Sequence, residues 1–371
     1  MNRPLTIALL LLVPTAALAQ PASEFRPLFN GRDLDGWVPV NTAPSTWSVR
    51  DEMLICTGKP IGELRTTKMY QNFVMEVEWR HMKPRGNAGI FVWADDITAR
   101  GVPFHRSVEV QVLENAYGNT RSHTTHGDIF PIHGAKMTPI NGRGGSRAFP
   151  TENRSKPSPE WNHYRIECRD GDIALAVNGK IVTRGTKCSP SKGYICLESE
   201  GGVVHYRNLK IQELPDTPVD PKDVATANRD FRCLYNGIDL EGWRVVGKGW
   251  KPSDWVLAFS GDAKSSLTSD AQIGNVGFVF DVRGDKHVAT ATIRGAKVSI
   301  DPTDEKLAKH LRRGRNWNRI EGELRGTQLT LRVNGQTVET EQGAKATPRG
   351  RLVLTSTGPV DFANIYIRDL K

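Results

Sequence analysis

Two polar residues on one short segment raise the question of chemistry. In Ser107-Val-Glu-Val-Gln-Val-Leu-Glu114, Val108, Val110 and Val112 alternate with Ser107, Glu109, Gln111 and Leu113. A strand with this pattern puts the valines on one face and Glu109 and Gln111 on the other, roughly 7 Å apart. A carboxylate can move a proton and a carboxamide can bond a substrate oxygen, so one bound molecule can touch both. Downstream, His123, His126 and His133 fall within eleven residues, with Asp128 among them and Lys136 just beyond. Imidazole serves as acid, base or metal ligand. The spacing matches no standard metal site, so no cofactor is expected; a divalent cation is compatible with such a loop but not indicated. His133, between a proline-containing strand and a glycine, is the histidine expected to line a site.

Two more segments are expected to converge on that strand. Gly86-Asn-Ala-Gly-Ile-Phe-Val-Trp93 begins with turn-permitting glycines. Its Ile90 and Val92 are expected to pack inward, leaving Phe91 and Trp93 on the other face, where an indole can stack on the apolar C–H face of a sugar. In Tyr194-Ile-Cys-Leu-Glu-Ser-Glu200, Glu198 shares parity with Cys196 and opposes Ile195 and Leu197. The expected site therefore has Glu109 and His133 as catalytic groups and Gln111, Trp93, Glu198 and Lys136 as substrate contacts.

The elements that must position these residues are strands. Short alternating runs are separated by Asp170-Gly171, Asn178-Gly179, Gly326-Thr327 and Asn334-Gly335. The Asn-Gly pairs predict tight hairpins, giving meanders over 164–183 and 319–339. The chain also repeats itself. Phe25-Arg-Pro-Leu-Phe-Asn-Gly-Arg-Asp-Leu-Asp-Gly-Trp37 recurs as Phe231-Arg-Cys-Leu-Tyr-Asn-Gly-Ile-Asp-Leu-Glu-Gly-Trp243, and Trp161-Asn162 with Asn178-Gly179 recurs as Trp317-Asn318 with Asn334-Gly335. A repeat of this length is a duplicated domain. The expected organisation is all-β: two tandem β-sandwiches over 24–214 and 229–371, joined by a Pro-rich linker over 215–228. The second repeat is about 50 residues shorter, and no counterpart of Glu109-Val-Gln111 or of the histidine loop is found in it. It reads as a packing partner or a carbohydrate-contacting module.

Met1-Asn-Arg-Pro, the apolar run from Leu5 and Ala17-Leu-Ala19 read as a secretory signal peptide over 1–19. That run is too short to span a bilayer, so a periplasmic or secreted protein without membrane insertion is expected. The net charge of +9 is scattered rather than blocked and accompanies no nucleic-acid motif, so a solvated basic surface is expected and a nucleic-acid partner is not. Of the five cysteines, Cys188 with Cys196, or Cys168 with Cys196, could pair in an oxidising compartment.

The ordered set Leu28-Phe-Asn-Gly, Tyr70-Gln-Asn-Phe, Gly86-Asn-Ala-Gly-Ile-Phe, Glu109-Val-Gln-Val-Leu-Glu, Trp161-Asn and Gly193-Tyr-Ile-Cys-Leu-Glu-Ser-Glu-Gly resembles the bacterial 3-keto-disaccharide hydrolase domain over about Phe25 to Glu213. The second repeat resembles it as a degenerate copy. The resemblance implies concanavalin- or laminin-G-like jelly-roll sandwiches and a small oxidised sugar or glycoside as partner. It also implies elimination and hydration across C1–C2 of a 3-keto-glycoside. This chain departs from the family pattern at Trp93, where arginine is expected, and at Glu198, where glutamine is. Two other readings stay open: a non-catalytic carbohydrate-binding sandwich, and a glucanase-like retaining glycosidase using Glu109 and Glu114, whose opposite parity would require a β-bulge.

Overall fold

The computed structural model describes residues 24–371 except 118–125, 228, 263 and 342. The signal-peptide reading and His123 lie outside the described residues. Alternation sets the layers. In Ser107–Leu113 the three valines are wholly buried in the core of the first domain, and Glu109 and Gln111 emerge on the opposite face of the sheet. The smaller sheet of that domain runs, in spatial order, Trp37–Val40, Gly62–Thr66, Tyr194–Ser199, Asn87–Ala94, Ser107–Leu113, Ile129–Ile132. A nine-stranded sheet packs against it, with Asn162–Arg169, Phe73–His81 and Val204–Glu213 adjacent at its centre. Both are antiparallel, and their apolar faces enclose one core.

The expected meanders form as Asn162–Arg169, Asp172–Val177, Lys180–Ser189 and as Asn318–Arg325, Gln328–Val333, Gln336–Glu341. At both hairpin tips the Asn-Gly pair takes two positive φ values (Asn178 47°, Gly179 87°; Asn334 50°, Gly335 86°), as a primed turn requires. The repeated Trp-Asn motif is structural. Asn162 bonds both backbone groups of Lys156, and Asn318 does the same with Arg312.

The second sandwich has eight- and five-stranded sheets around its own core. Its smaller sheet contains Ala289–Ile293 and Ala296–Ile300, joined by a two-residue turn. Strand register places Ala296–Ile300 where the first domain has Ser107–Leu113. The strand therefore has a counterpart in the second domain, although its Glu109 and Gln111 do not. The shortening falls in the connections, chiefly the 95–106 loop and the stretch between the Ser107–Leu113 and Asn162–Arg169 strands. The Glu109, Gln111 and Glu198 positions become Lys297, Ser299 and Thr355.

The two sandwiches share a polar and apolar seam. The outer face of the larger second-domain sheet presents Val279 and Tyr366 to Val40 and Ile97. Buried Asp281 accepts from the backbone N–H of Gly101, and Asn364 donates to the carbonyls of Ala99 and Val102. The segment after 214 lies along the first domain. Asn72 and Gln71 bond Pro215 and Thr217, and Arg229 pairs with Asp96. Cys56, Cys168, Cys188, Cys196 and Cys233 are all free thiols. The expected pairings with Cys196 do not form, because Cys196 points to the outer face of the smaller sheet while Cys168 and Cys188 lie in the core between the sheets.

Candidate active site

Register assembles the site in two rows across the exterior face of the smaller sheet. Val40 pairs Glu63, and Glu63 pairs Glu198. Glu198 lies beside Gly89, because Leu197 pairs Ile90, and Gly89 pairs Gln111. The next row runs Val38, Arg65, Cys196, Phe91, Glu109, Phe130. Glu109, Gln111 and Glu198 thus meet on one face, from strands whose other faces build the core.

Gly89 is what lets two carboxylates approach. A Cβ there would lie 2.9 Å from Glu109 Oε1 and 3.0 Å from Glu198 Oε2. Glu109 is 7 % exposed and Glu198 2 %. Burial is the largest force on both, and it pushes both carboxyls well above the ordinary range. Glu200, Glu63 and Asp128 push Glu109 the same way, against the cation of Arg147; Glu109, Glu200 and Glu63 do so for Glu198. Glu198 Oε2 has no hydrogen-bond donor among the described residues. Its neighbour is another carboxyl, Glu200, itself raised by burial and held by Asn87. Burial and the like charges around it both favour the neutral form, so the cluster is expected to hold a proton that an isolated glutamate would have lost.

That proton has a stability signature. A carboxyl raised in the folded state contributes stability that is present below its unfolded pKa, near 4.5, and lost as pH rises through the folded value. Against their burial, Glu76 and Glu213 are lowered by Lys and Arg partners and Glu78 by Asn208 and Arg207, and they give the opposite slope. The difference between variant and parent isolates the cluster. Glu198→Gln is expected to gain stability relative to the parent progressively as pH rises above about 4.5, read as urea midpoints. A difference that stays flat with pH would mean that Glu198 is ionised.

The remaining expected residues divide. Gln111 faces the site, but its amide nitrogen already donates to Asn87 Oδ1 at 2.8 Å and to Ala88 O at 3.2 Å, so it orients Asn87 rather than offering a free donor. His133 stands exposed at the turn after Ile129–Ile132, at φ 51°, stacked 6.3 Å from Phe104. Phe104 sits edge-on to Phe91 at 5.7 Å. Partial desolvation lowers the His133 pKa and nearby His105 adds to this, against Glu63. His126 lies elsewhere, near Asn153 and Glu114, so His126 and His133 do not form one ligand set.

Trp93 is a correction. A register shift between Tyr194 and Cys196, with Trp93 at φ 56°, turns the indole into the core, where Nε1 donates to Gln71 O at 2.9 Å. It is fully buried and provides no platform; on the site face Phe91 is wholly buried as well, beneath Phe104, which is the partly exposed ring. Lys136 is also displaced, exposed on an edge strand of the other sheet and paired with Ser189. Glu114 cannot serve as the second carboxylate of a retaining pair. It accepts from the backbone N–H groups of Arg85, Ala116 and Ser158, which lower its pKa against burial.

Sequence reasoning missed Glu63, Arg65, His105, Asn87, Arg147 and Glu200. Glu200 had a signal, since it shares parity with Glu198. Arg147 lies 3.3 Å over the Phe130 ring and pairs with Asp128. Glu63 accepts from the His105 backbone N–H and meets His105 Nδ1. Donor atoms of Glu63, His105 and Cys196 lie within 4.8 Å of one another, a carboxylate, imidazole and thiol set of the type that holds zinc.

The outer face of the smaller sheet of this jelly-roll sandwich gathers carboxyls, amides and aromatic rings, the groups a carbohydrate-active protein uses. The chain belongs to the family of 3-keto-alpha-glucoside-1,2-lyase-like domains, whose model matches residues 24–212. Among solved structures it is similar to a Parabacteroides distasonis protein named provisionally as a glycosyl hydrolase, at 22 % identity and TM-score 0.41, covering 52 % of this chain and 94 % of that one. It is also similar to a Bacillus subtilis protein of unknown function with a galectin-like fold (12 % identity, TM-score 0.40, 54 % and 99 % covered). A Bacillus licheniformis β-glucanase matches at 13 % identity and TM-score 0.34, with 53 % and 99 % covered. No curated protein matches the chain.

Proposed function

We propose that the first domain is an exported lyase or hydrolase of 3-keto-glycosides, with Glu109 and Glu198 exchanging the protons. The observation that carries this reading is the pair of buried carboxyls facing each other across Gly89. Carbonyl oxidation at C3 acidifies the C2–H. One carboxylate takes that proton, and the electron pair moves into a C2–C3 enolate. As the enolate collapses to a C1–C2 enone, the C1–O bond breaks and the leaving oxygen takes a proton from the neutral partner carboxyl. Water adding across C1–C2 completes hydrolysis. A carboxyl kept neutral by burial beside a charged neighbour suits an acid and base acting in one site. Arg147 and the His133–Phe104 pair flank the ring position and carry substrate contacts. Because the leaving group departs by elimination, the site needs no water placed between two widely spaced carboxyls, as an inverting glycosidase does.

The test is turnover of methyl 3-keto-α-glucoside by the purified protein, followed as methanol release and as enone absorbance. A C2-deuterated substrate is expected to react more slowly. Cleavage of an unoxidised glucan with the keto-sugar left intact would replace this reading with a glycosidase. Binding without turnover would replace it with a carbohydrate-binding module.

A further inference from the structure

The duplicated fold allows the two cores to be compared position by position. In the first domain Trp79, Tyr164 and His81 plug one end of the sandwich. The Trp79 ring lies 5.2 Å from Tyr164 and 5.8 Å from His81, and all three are buried. Trp79 pairs Asn162 and Tyr206, and Val282 pairs Asn318 and Phe362. Since Trp161-Asn162 and Trp317-Asn318 are equivalent, Val282 is the counterpart of Trp79. By the same register Ile320 replaces Tyr164 and Gly284 replaces His81. The second domain has no aromatic plug at these positions.

The space has not collapsed. A cavity of about 240 Å³ remains there, floored by Val282, Ala289, Ile300, Leu311 and Val360. Its mouth carries Lys286, His287, Arg312 and Arg313 against a single acid, Asp285. Lys286, Arg312 and Arg313 form no ion pair among the described residues; Arg312 is held only through its backbone, by Asn318. The equivalent volume in the first domain holds an indole, so this one suits a flat ring, and the cationic rim suits an anion attached to it.

We propose that the second sandwich is a binding module whose pocket takes a small aromatic carboxylate, its ring in the place of the missing indole and its carboxylate among Lys286, Arg312 and Arg313. This site is separate from the carboxyl cluster of the first domain and does not depend on the chemistry assigned there.

Calorimetric titration of the full chain with indole-3-acetate tests it, with indole-3-acetamide as the uncharged control. The acid is expected to bind at least 10-fold more tightly than the amide. Val282→Trp restores the plug and is expected to abolish binding with the far-UV spectrum unchanged. Arg312→Gln/Arg313→Gln leaves the core untouched and is expected to weaken the acid at least 10-fold while leaving the amide unaffected. No heat with the parent protein, or equal binding by both variants, overturns the proposal.

Discussion

Glu109→Gln is expected to lower kcat on a 3-keto-glucoside roughly 10²- to 10⁴-fold, the range a positioned proton-transfer group supplies, with little change in KM. The amide has nearly the shape of the carboxyl but can neither accept the C2 proton nor return one. It also removes an ionisable group whose charged form burial and neighbouring acids disfavour, so the variant is expected to be at least as stable as the parent at pH 7. A loss of rate therefore cannot be ascribed to unfolding. Glu198→Gln separates the roles. If Glu198 protonates the leaving oxygen, its removal is rescued by substrates whose leaving group is already acidic, such as nitrophenolate, whereas loss of the base at Glu109 is not. Parental rates from both variants would take the carboxyl pair out of the mechanism.

The face of each strand was legible wherever strict alternation holds. Ser107–Leu113 obeys it throughout, so Glu109 and Gln111 are placed correctly by parity alone. Asn87–Ala94 does not obey it. Its irregularity begins just before Trp93 and arises from a backbone conformation with positive φ that no residue type there announces. A β-bulge inverts the facing of the residues beyond it, so the indole expected on the sugar face became core. Lys136 failed for another reason: proximity in sequence to the histidine loop does not survive a strand that crosses to the other sheet. Glu63, Arg65 and His105 were invisible because they reach the site through sheet pairings and a loop contact far apart in the chain. Each appears ordinary in its own segment, and only register brings a carboxylate at 63 beside one at 198.

The second sandwich is more than a degenerate remainder, and Asp281 is the residue on which that argument turns. Its counterpart in the first domain is Glu78, which forms a half-exposed pair with Arg207 on an open face. In the second domain the same face is covered, and Asp281 is fully buried. Its carboxylate accepts from Arg319 Nε at 2.8 Å, Arg319 Nη2 at 2.9 Å, Asn364 Nδ2 at 2.7 Å and the Gly101 backbone N–H at 2.8 Å. Asp281→Ala is expected to cost roughly 3–5 kcal/mol, because it strands the guanidinium of Arg319 in the seam. Asp281→Ala/Arg319→Ala should cost less than the sum of the single changes, since the stranded charge goes too. The effect should also reach the first domain. Gly101 belongs to the loop whose far end places Phe104 on Phe91 and His105 on Glu63. Hydrogen exchange at residues 97–105 is therefore expected to accelerate in Asp281→Ala under conditions where both cores remain folded. Unchanged exchange there would reduce the second sandwich to a neighbour; accelerated exchange makes it the brace that holds one wall of the carboxyl site in place.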